Sequence, residues 1–343
     1  MAARKTISDL ANEAQISVST IDRILSGRGH VKATTVEHVL AAAERIGFHG
    51  IAVIRSRLGE VAPQRTLGFV INSKSRRLYT LFGTWLESYT AKASSIKGRA
   101  LVTYVDGVDP DAWAAALYDL GEQCDAIACI GLDHPACNIA VSDLAARGIP
   151  VISMISSFSS PDVAGFIGSN DWQLGRTAGW FMQRLCKAPG KIAIFKGSEL
   201  YSSQQTNEIS FRSYLRSSGL DLLDSVFTEE SDAHAITVTD ALFAQHQDIV
   251  GVVTFGGGQG SVARAIAAKV QAGLRKPVVI GLELTDATRK QLVSGEIDIM
   301  LAHPLEEIAA AAVEALVQLV GDRAASARIE RIIPFKVIVS ENC

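Results

Sequence analysis

A short stretch near the start of the sequence has the side-chain types and spacing to read DNA. In "SVSTIDRILSGRGH", residues 17–30, Ile21, Ile24 and Leu25 repeat at i, i+3, i+4 and define the buried stripe of a helix that Ser17 would cap. The opposite side then presents Val18, Ser19 and, one turn later, Arg23. Arginine suits bidentate bonding to guanine, and valine packs on a thymine methyl group. Thr6, Ser17, Thr20, Ser26, Arg28 and His30 remain to bond phosphates and fix register. The other reading of the same residues is a solvated polar face on a three-helix protein-interaction unit.

The elements needed to position that helix are present. Ile7, Leu10, Ala11 and Ala14 predict a first helix with Thr6 as its N-cap, and a break from Ala14 to Ser17 separates it from the second. Val36, Val39, Leu40, Ala43 and Ile46 predict a third amphipathic helix, closed by Gly47. Three short helices with a tight turn between the first two are the geometry that lays the second helix in the major groove. The charge distribution agrees. Residues 1–60 hold eight Lys/Arg against six Asp/Glu, whereas the whole chain of 343 residues has a formal charge of −3, so a basic head precedes an acidic body.

Other chemistry is poorly supported. "GGGQGS", Gly256 to Ser261, begins as a dinucleotide loop would but has Ser261 at the third glycine position, and no phosphate-binding lysine follows. "DHP" at Asp133–Pro135 has no nucleophile beside it. The five cysteines have no paired spacing and read as reduced thiols, so neither a metal nor a cofactor is expected. No apolar run reaches 18 residues and no export leader precedes residue 30; the expectation is a cytoplasmic protein without a membrane segment.

From residue 66 the pattern changes to α/β. The runs "TLGFVI", "ALVTYV", "DAIACIGL", "PVISMI", "AGFIG", "KIAIFKG", "LLDSVF", "IVGVVTFGG", "KPVVIGL" and "DIMLAHP" alternate with amphipathic helices. They predict two units of parallel sheet, each with helices on both faces. Ligands in such folds sit beyond the carboxyl ends of the strands.

"TISDLANEAQISVSTIDRILSGRGHVKATTVEHVLAAAERIGF", Thr6 to Phe48, resembles the headpiece of the LacI/GalR family of bacterial regulators through T-I-x-D-L-A, I-S-x-S-T-I-x-R-x-L and the closing G-F. The body is similar to the effector domain of that family, itself like periplasmic sugar-binding proteins, through stretches such as "IGSNDWQLGRTAGWFM" and "VVIGLELTDATRKQLVSGEIDIMLAHPLEEIAAAAVEAL". The resemblance implies a helix-turn-helix headpiece over 1–49, a hinge or linker over 50–65, and an effector-binding domain over 66–343 with two lobes. The N-lobe would take about 66–167 and 304–330, and the C-lobe about 168–303 and 331–343. It implies operator double-stranded DNA as a partner, a sugar or polyol as effector, and a homodimer. Asp22 stands where the family usually has serine, and the family's Pro-Asn pair after the headpiece is replaced by Gly50 and Ile51. Leu58, one residue later than usual, would be the minor-groove wedge of a hinge helix formed on DNA, with Arg55 and Arg57 on phosphates.

Carried over position by position, the resemblance implies that Asn72, Tyr79, Ser157, Asn170, Asp171, Trp172, Asn207, Phe255, Glu283 and His303 face the effector. Each has a structural alternative: Asn170 and Asp171 as caps of the following helix, Trp172 as lobe packing, His303 as a crossover residue. These cleft positions include no arginine or lysine, which argues against phosphorylated sugars. Three readings follow: a ligand-gated DNA-binding regulator, a sugar-binding protein without a regulatory role, and a cytoplasmic α/β enzyme.

Overall fold

A computed structural model describes residues 5–321 and 328–343. The first unit is helical: α1 (Ile7–Glu13), α2 (Val18–Ser26), α3 (Ala33–Ile46) and α4 (Ile51–Val61). Thr6 opens α1 through a reciprocal capping box with Asp9, and Ser17 opens α2 by accepting from the Thr20 N–H. Gln15, with φ of 50°, makes the turn between them. Leu10, Ile21, Ile24, Val36, Val39 and Phe48 close a small apolar core.

The linker expectation is corrected here. Most of residues 50–65 is α4, and Leu58 is fully buried in the headpiece core beside Ile54 rather than presented as a wedge. Ile51, Ile54 and Leu58 fall at i, i+3, i+7, a stripe that packs back on α2 and α3. Its two arginines are also occupied: Arg55 pairs with Glu44 at 2.7 Å and Arg57 with Glu60 at 2.5 Å. Gly27 closes α2 at φ 70°, and a Cβ there would lie 2.5 Å from the Arg57 guanidinium carbon, so α4 reaches the exit of α2.

The N-lobe follows as β1 (Gln64–Asn72), α5 (Arg77–Lys92), β2 (Lys97–Val105), α6 (Pro110–Gly121), β3 (Ala126–Ile130), α7 (Pro135–Ala146), β4 (Val151–Met154) and β5 (Gly165–Gly168). The chain then crosses to the C-lobe: α8 (Asp171–Leu185), β6 (Lys191–Lys196), α9 (Ser202–Leu215), β7 (Asp221–Phe227), α10 (Asp232–Gln245), β8 (Ile249–Thr254), α11 (Gln259–Gln271), β9 (Val278–Gly281), α12 (Asp286–Val293) and β10 (Ile299–Ala302). It returns as α13 (Leu305–Gly321) and β11 (Ile329–Ile332), then crosses once more to β12 (Lys336–Ile338).

The sheet orders are β11-β5-β4-β3-β1-β2 and β12-β10-β9-β8-β6-β7. All ten apolar runs of the body are strands, paired in parallel, and only β12 joins its neighbour antiparallel. Central strands such as β3 and β4 are buried along their whole length, which explains their unbroken apolar character. Three segments connect the lobes: Gly168 to Asp171, Ala302 to Leu305 and Ile332 to Lys336. The carboxyl ends of β1, β8 and β9 converge on the gap between the lobes, where Asn72, Phe255 and Glu283 line one cavity.

Candidate functional site

Arg76 is the residue around which the interlobe site is built. The polar run "NSKSRR" after β1 is a turn, in which Arg76 donates its N–H to the Ser73 carbonyl at 3.2 Å and opens α5. From there its guanidinium crosses to the C-lobe. Nη1 donates to Glu230 Oε2 and Nη2 to Glu283 Oε1, with all three side chains at most 17% exposed. The Tyr79 ring lies with its centroid 5.0 Å from the same guanidinium.

Each carboxylate is held in turn. Glu230 Oε1 accepts from Gln204 Nε2 and from the Gly257 N–H, both at 3.1 Å. A Cβ at Gly257 would collide with the Glu230 carboxylate and the Arg76 guanidinium, so the glycine loop exists to let them approach. The backbone carbonyl of Glu283 accepts from Gln259 Nε2 at 2.5 Å and from Thr288 Oγ1 at 2.8 Å. Burial lifts the Glu283 carboxyl above the usual range, against the pull of Arg76. Burial also disfavours the Arg76 cation, but Glu283, Tyr79 and Glu230 outweigh it and hold its pKa well above the ordinary value.

Beside this triad lies a cavity of about 50 Å³, lined by Asn72, Tyr79, Ile155, Tyr201, Asn207, Phe255, Glu283 and His303 among others. That is far below the roughly 300–1,000 Å³ of an open small-molecule site. The lobes are thus closed on Arg76. Several lining groups lack partners. Asn72 donates from Nδ2 to Tyr201 Oη at 2.6 Å, but its Oδ1 is buried and unpaired, as are Asn207 Oδ1 and His303 Nδ1. Burial pulls the His303 imidazole down to about 4, so it is neutral near pH 7. Orphaned buried polar atoms that converge on one space mark a site awaiting a polar ligand. Ile155 borders the cavity at φ 64°, a left-handed conformation that costs a β-branched residue about 1–3 kcal/mol.

Six of the expected positions therefore line this cavity: Asn72, Tyr79, Asn207, Phe255, Glu283 and His303. The other four are corrected. Ser157 turns to the Phe158 carbonyl at 3.3 Å and binds Ser202, and its neighbour Ser156 faces the cavity instead. Asn170 caps α8, accepting from the Gln173 N–H at 2.9 Å. Asp171 lies behind Asn207 rather than on the cavity, and burial raises its carboxyl to about 7 despite a hydrogen bond from Asn207. Trp172 is 46% exposed and does not line this cavity. The absence of a cleft arginine is corrected as well, by Arg76. Arg76, Glu230, Gln204 and Tyr201 were not anticipated. Glu230 follows β7 as Glu283 follows β9, so the strand-end rule pointed to it.

At the head, Val18 is 49% exposed, and Ser19 and Arg23 are exposed on the same outer face of α2. Arg23 Nη2 donates to Thr20 Oγ1 at 3.1 Å, and Ser17 Oγ lies 3.0 Å from Ser19 Oγ. Ser26 donates to the Asp22 carbonyl at 2.6 Å, while Arg28 and His30 are exposed on the exit. The Thr6 hydroxyl is engaged with Asp9. A cavity of about 820 Å³ lies elsewhere, where the start of α3 faces Pro63, Arg65 and the ends of α5 and α13. Among the described residues no orphaned buried polar atom faces it, and it lies between head and body.

A helix-turn-helix head joined to a two-lobed binding fold is a recognisable class. Residues 82–324 match the periplasmic binding protein domain, and the chain belongs to that family. Residues 6–50 match the bacterial regulatory proteins of the lacI family. The chain is 33% identical over 82 residues to Catabolite control protein A of Priestia megaterium, covering 24% of each chain. It is 33% identical over 108 residues to the Maltose regulon regulatory protein MalI of Escherichia coli, covering 32% of this chain and 30% of the relative. The chain thus spans less than a third of the length of either curated relative. The glucose-galactose binding protein GanP of Geobacillus stearothermophilus superposes with a TM-score of 0.72 at 16% identity, over 81% of this chain and 98% of that one.

Proposed function

We propose that this chain is a sequence-specific DNA-binding regulator, acting as a repressor, whose operator affinity is set by a small polyhydroxylated effector held between the lobes. The observation that carries the reading is one chain with two exposed chemistries. Val18, Ser19 and Arg23 project from the helix of a lacI-type head, and orphaned Asn72, Asn207 and His303 converge between two lobes. The curated relatives are regulators by name, and GanP is named for binding glucose and galactose. The same two roles are proposed here in one cytoplasmic protein. A homodimer follows, because one head reads one half-site. A ligand that favours one lobe arrangement shifts the population, and by linkage changes operator affinity.

The cleft cation does not restore phosphorylated sugars as candidates. Both terminal nitrogens of Arg76 are engaged by carboxylates, which would also repel a phosphate.

The test selects operator fragments from random duplex DNA with the full chain, then repeats retardation with each member of a sugar and polyol panel. The expected result is selective retention of a two-half-site duplex and its release by one panel member. That member should also stabilise the protein by about 2.7 kcal/mol at 100 times its Kd. Retention that does not depend on sequence would overturn the regulator reading.

A further inference from the structure

We propose that the effector is a polyol carrying a basic nitrogen, an amino sugar or aminocyclitol, rather than a neutral sugar. This rests on the ligand-binding reading above and asks what occupies the site.

The charge around the cavity is unbalanced. Glu230 and Glu283 both line it, and among the described residues no lysine or arginine does. Arg76, beside it, supplies one positive charge and is bound to both carboxylates. Two carboxyl groups face one guanidinium, so with both ionised the triad carries one negative charge in excess at side chains 7–17% exposed, and the raised Glu283 carboxyl is the response to that missing second cation. Buried carboxylates are tolerated when paired with cationic donors and strongly disfavoured when not. In this closed arrangement the cation comes from the chain itself, reaching over from the opposite lobe.

The hydrogen-bond inventory points the same way. Asn72, 4% exposed, and Asn207, 1% exposed, each have a buried Oδ1 without a partner facing the cavity. Turning either amide would exchange one orphan for another but leave the carboxylate excess unchanged. A hydroxyl brings one proton, whereas an ammonium brings three and a full charge. A protonated amine among hydroxyls thus satisfies the acceptors and neutralises the excess when the cleft opens and Arg76 yields its place. An acidic or phosphorylated sugar would add to the excess.

The experiment uses the full chain and matched pairs: D-glucose with D-glucosamine, D-galactose with D-galactosamine, and myo-inositol with an inosamine. Binding is read by calorimetry, with thermal melts as a check on folding. In at least one pair the amine is expected to bind tenfold or more tightly than its hydroxyl twin, and N-acetylation should remove the advantage. Glu283→Gln and Glu230→Gln, checked for folding by their melts, should each reduce that ratio toward one. Hydroxyl members binding as well as or better than the amines in every pair would overturn the amine and leave the polyol-responsive reading standing. No binding by any member of the pairs would overturn both, and a ratio unchanged in both folded variants would overturn the amine.

Discussion

Arg76, at the start of α5 in the N-lobe, donates from Nη2 to Glu283, at the end of β9 in the C-lobe. With the parallel bond to Glu230 it forms an ion triad that ties the two lobes together across the binding gap. Three segments cross between the lobes among the described residues, and the triad joins the lobes across the gap together with the Arg77–Asp286 pair and the Asn72–Tyr201 hydrogen bond. A site that must open to admit a sugar-sized molecule is thus held by the very groups that the molecule would engage.

Arg76→Met should release that restraint. It leaves two buried carboxylates without their cation, a loss of about 3–5 kcal/mol for a broken buried pair where the structure cannot relax. Because the lobes can open to hydrate Glu230 and Glu283, part of this loss should appear as a shift in lobe position. The expected outcome is a lower melting temperature and a larger radius of gyration by small-angle scattering in the ligand-free protein. An unchanged radius and melting temperature would show that the triad does not govern closure.

Arg23→Ala should weaken operator binding by about 1–3 kcal/mol per subunit, the worth of one bidentate base contact. Arg23 lies on the exposed side of α2, opposite Ile21 and Ile24, and its side chain donates to Thr20 Oγ1 at 3.1 Å. Folding and effector affinity should therefore stay as they are. Gel retardation with the selected operator and calorimetry with the effector separate the two effects, and full retardation by the variant would remove α2 from the groove.

Much of this was legible from the sequence because it depends on periodicity. The central body strands such as β3 and β8 are largely apolar runs bounded by turn residues, and α1 to α3 carry i, i+3, i+4 stripes with Thr6 and Ser17 capping the first two. Two strands escaped notice, β11 and β12, which are short, half-exposed and lie at a sheet edge. The helix α4 escaped because its stripe of Ile51, Ile54 and Leu58 begins at Gly50, without a side-chain cap to announce it. Arg76 was missed for a different reason. It sits in a polar turn with Lys74 and Arg77, and only the tertiary arrangement shows that Arg76 reaches buried carboxylates of the opposite lobe while Arg77 pairs with the exposed Asp286 at 3.2 Å. Aromatic character beside "SND" says nothing about direction, and Trp172 is 46% exposed.

Leu58→Ala should destabilise the head rather than affect DNA geometry. Leu58 is fully buried among Ile54 and the α2 and α3 side chains, and truncating a core leucine costs about 2–5 kcal/mol. For so small a core that is much of the available stability. The expected result is loss of the headpiece transition in a thermal melt, with the effector domain melting as before. If the head melts normally and only DNA bending is lost, Leu58 leaves the core on DNA and serves as a wedge after all.

Stability should also respond to pH through buried groups of opposite sign, Asp171 against His303, with the raised Glu283 carboxyl acting in the Asp171 direction. Burial raises the Asp171 carboxyl to about 7 from 3.8, so between about pH 4 and 7 the native state holds a proton that the unfolded chain has released. Asp171 therefore lowers stability as pH rises through that window and adds no further change above it. Burial pulls His303 down to about 4 from 6.5, so between about pH 6.5 and 4 the unfolded chain binds a proton that the native state refuses. His303 therefore lowers stability as pH falls through nearly the same window, and the two slopes oppose each other in the intact protein. Asp171→Asn should tilt the profile toward the histidine slope, with the melting temperature gaining on the unsubstituted protein as pH rises from 4 to 6.5. His303→Gln should unmask the carboxylate slope, with the melting temperature falling from pH 4 to 7. Melting curves of the two variants across pH 4 to 8 check both signs. Identical profiles for the two variants would show that neither group is held at its shifted value in the folded chain.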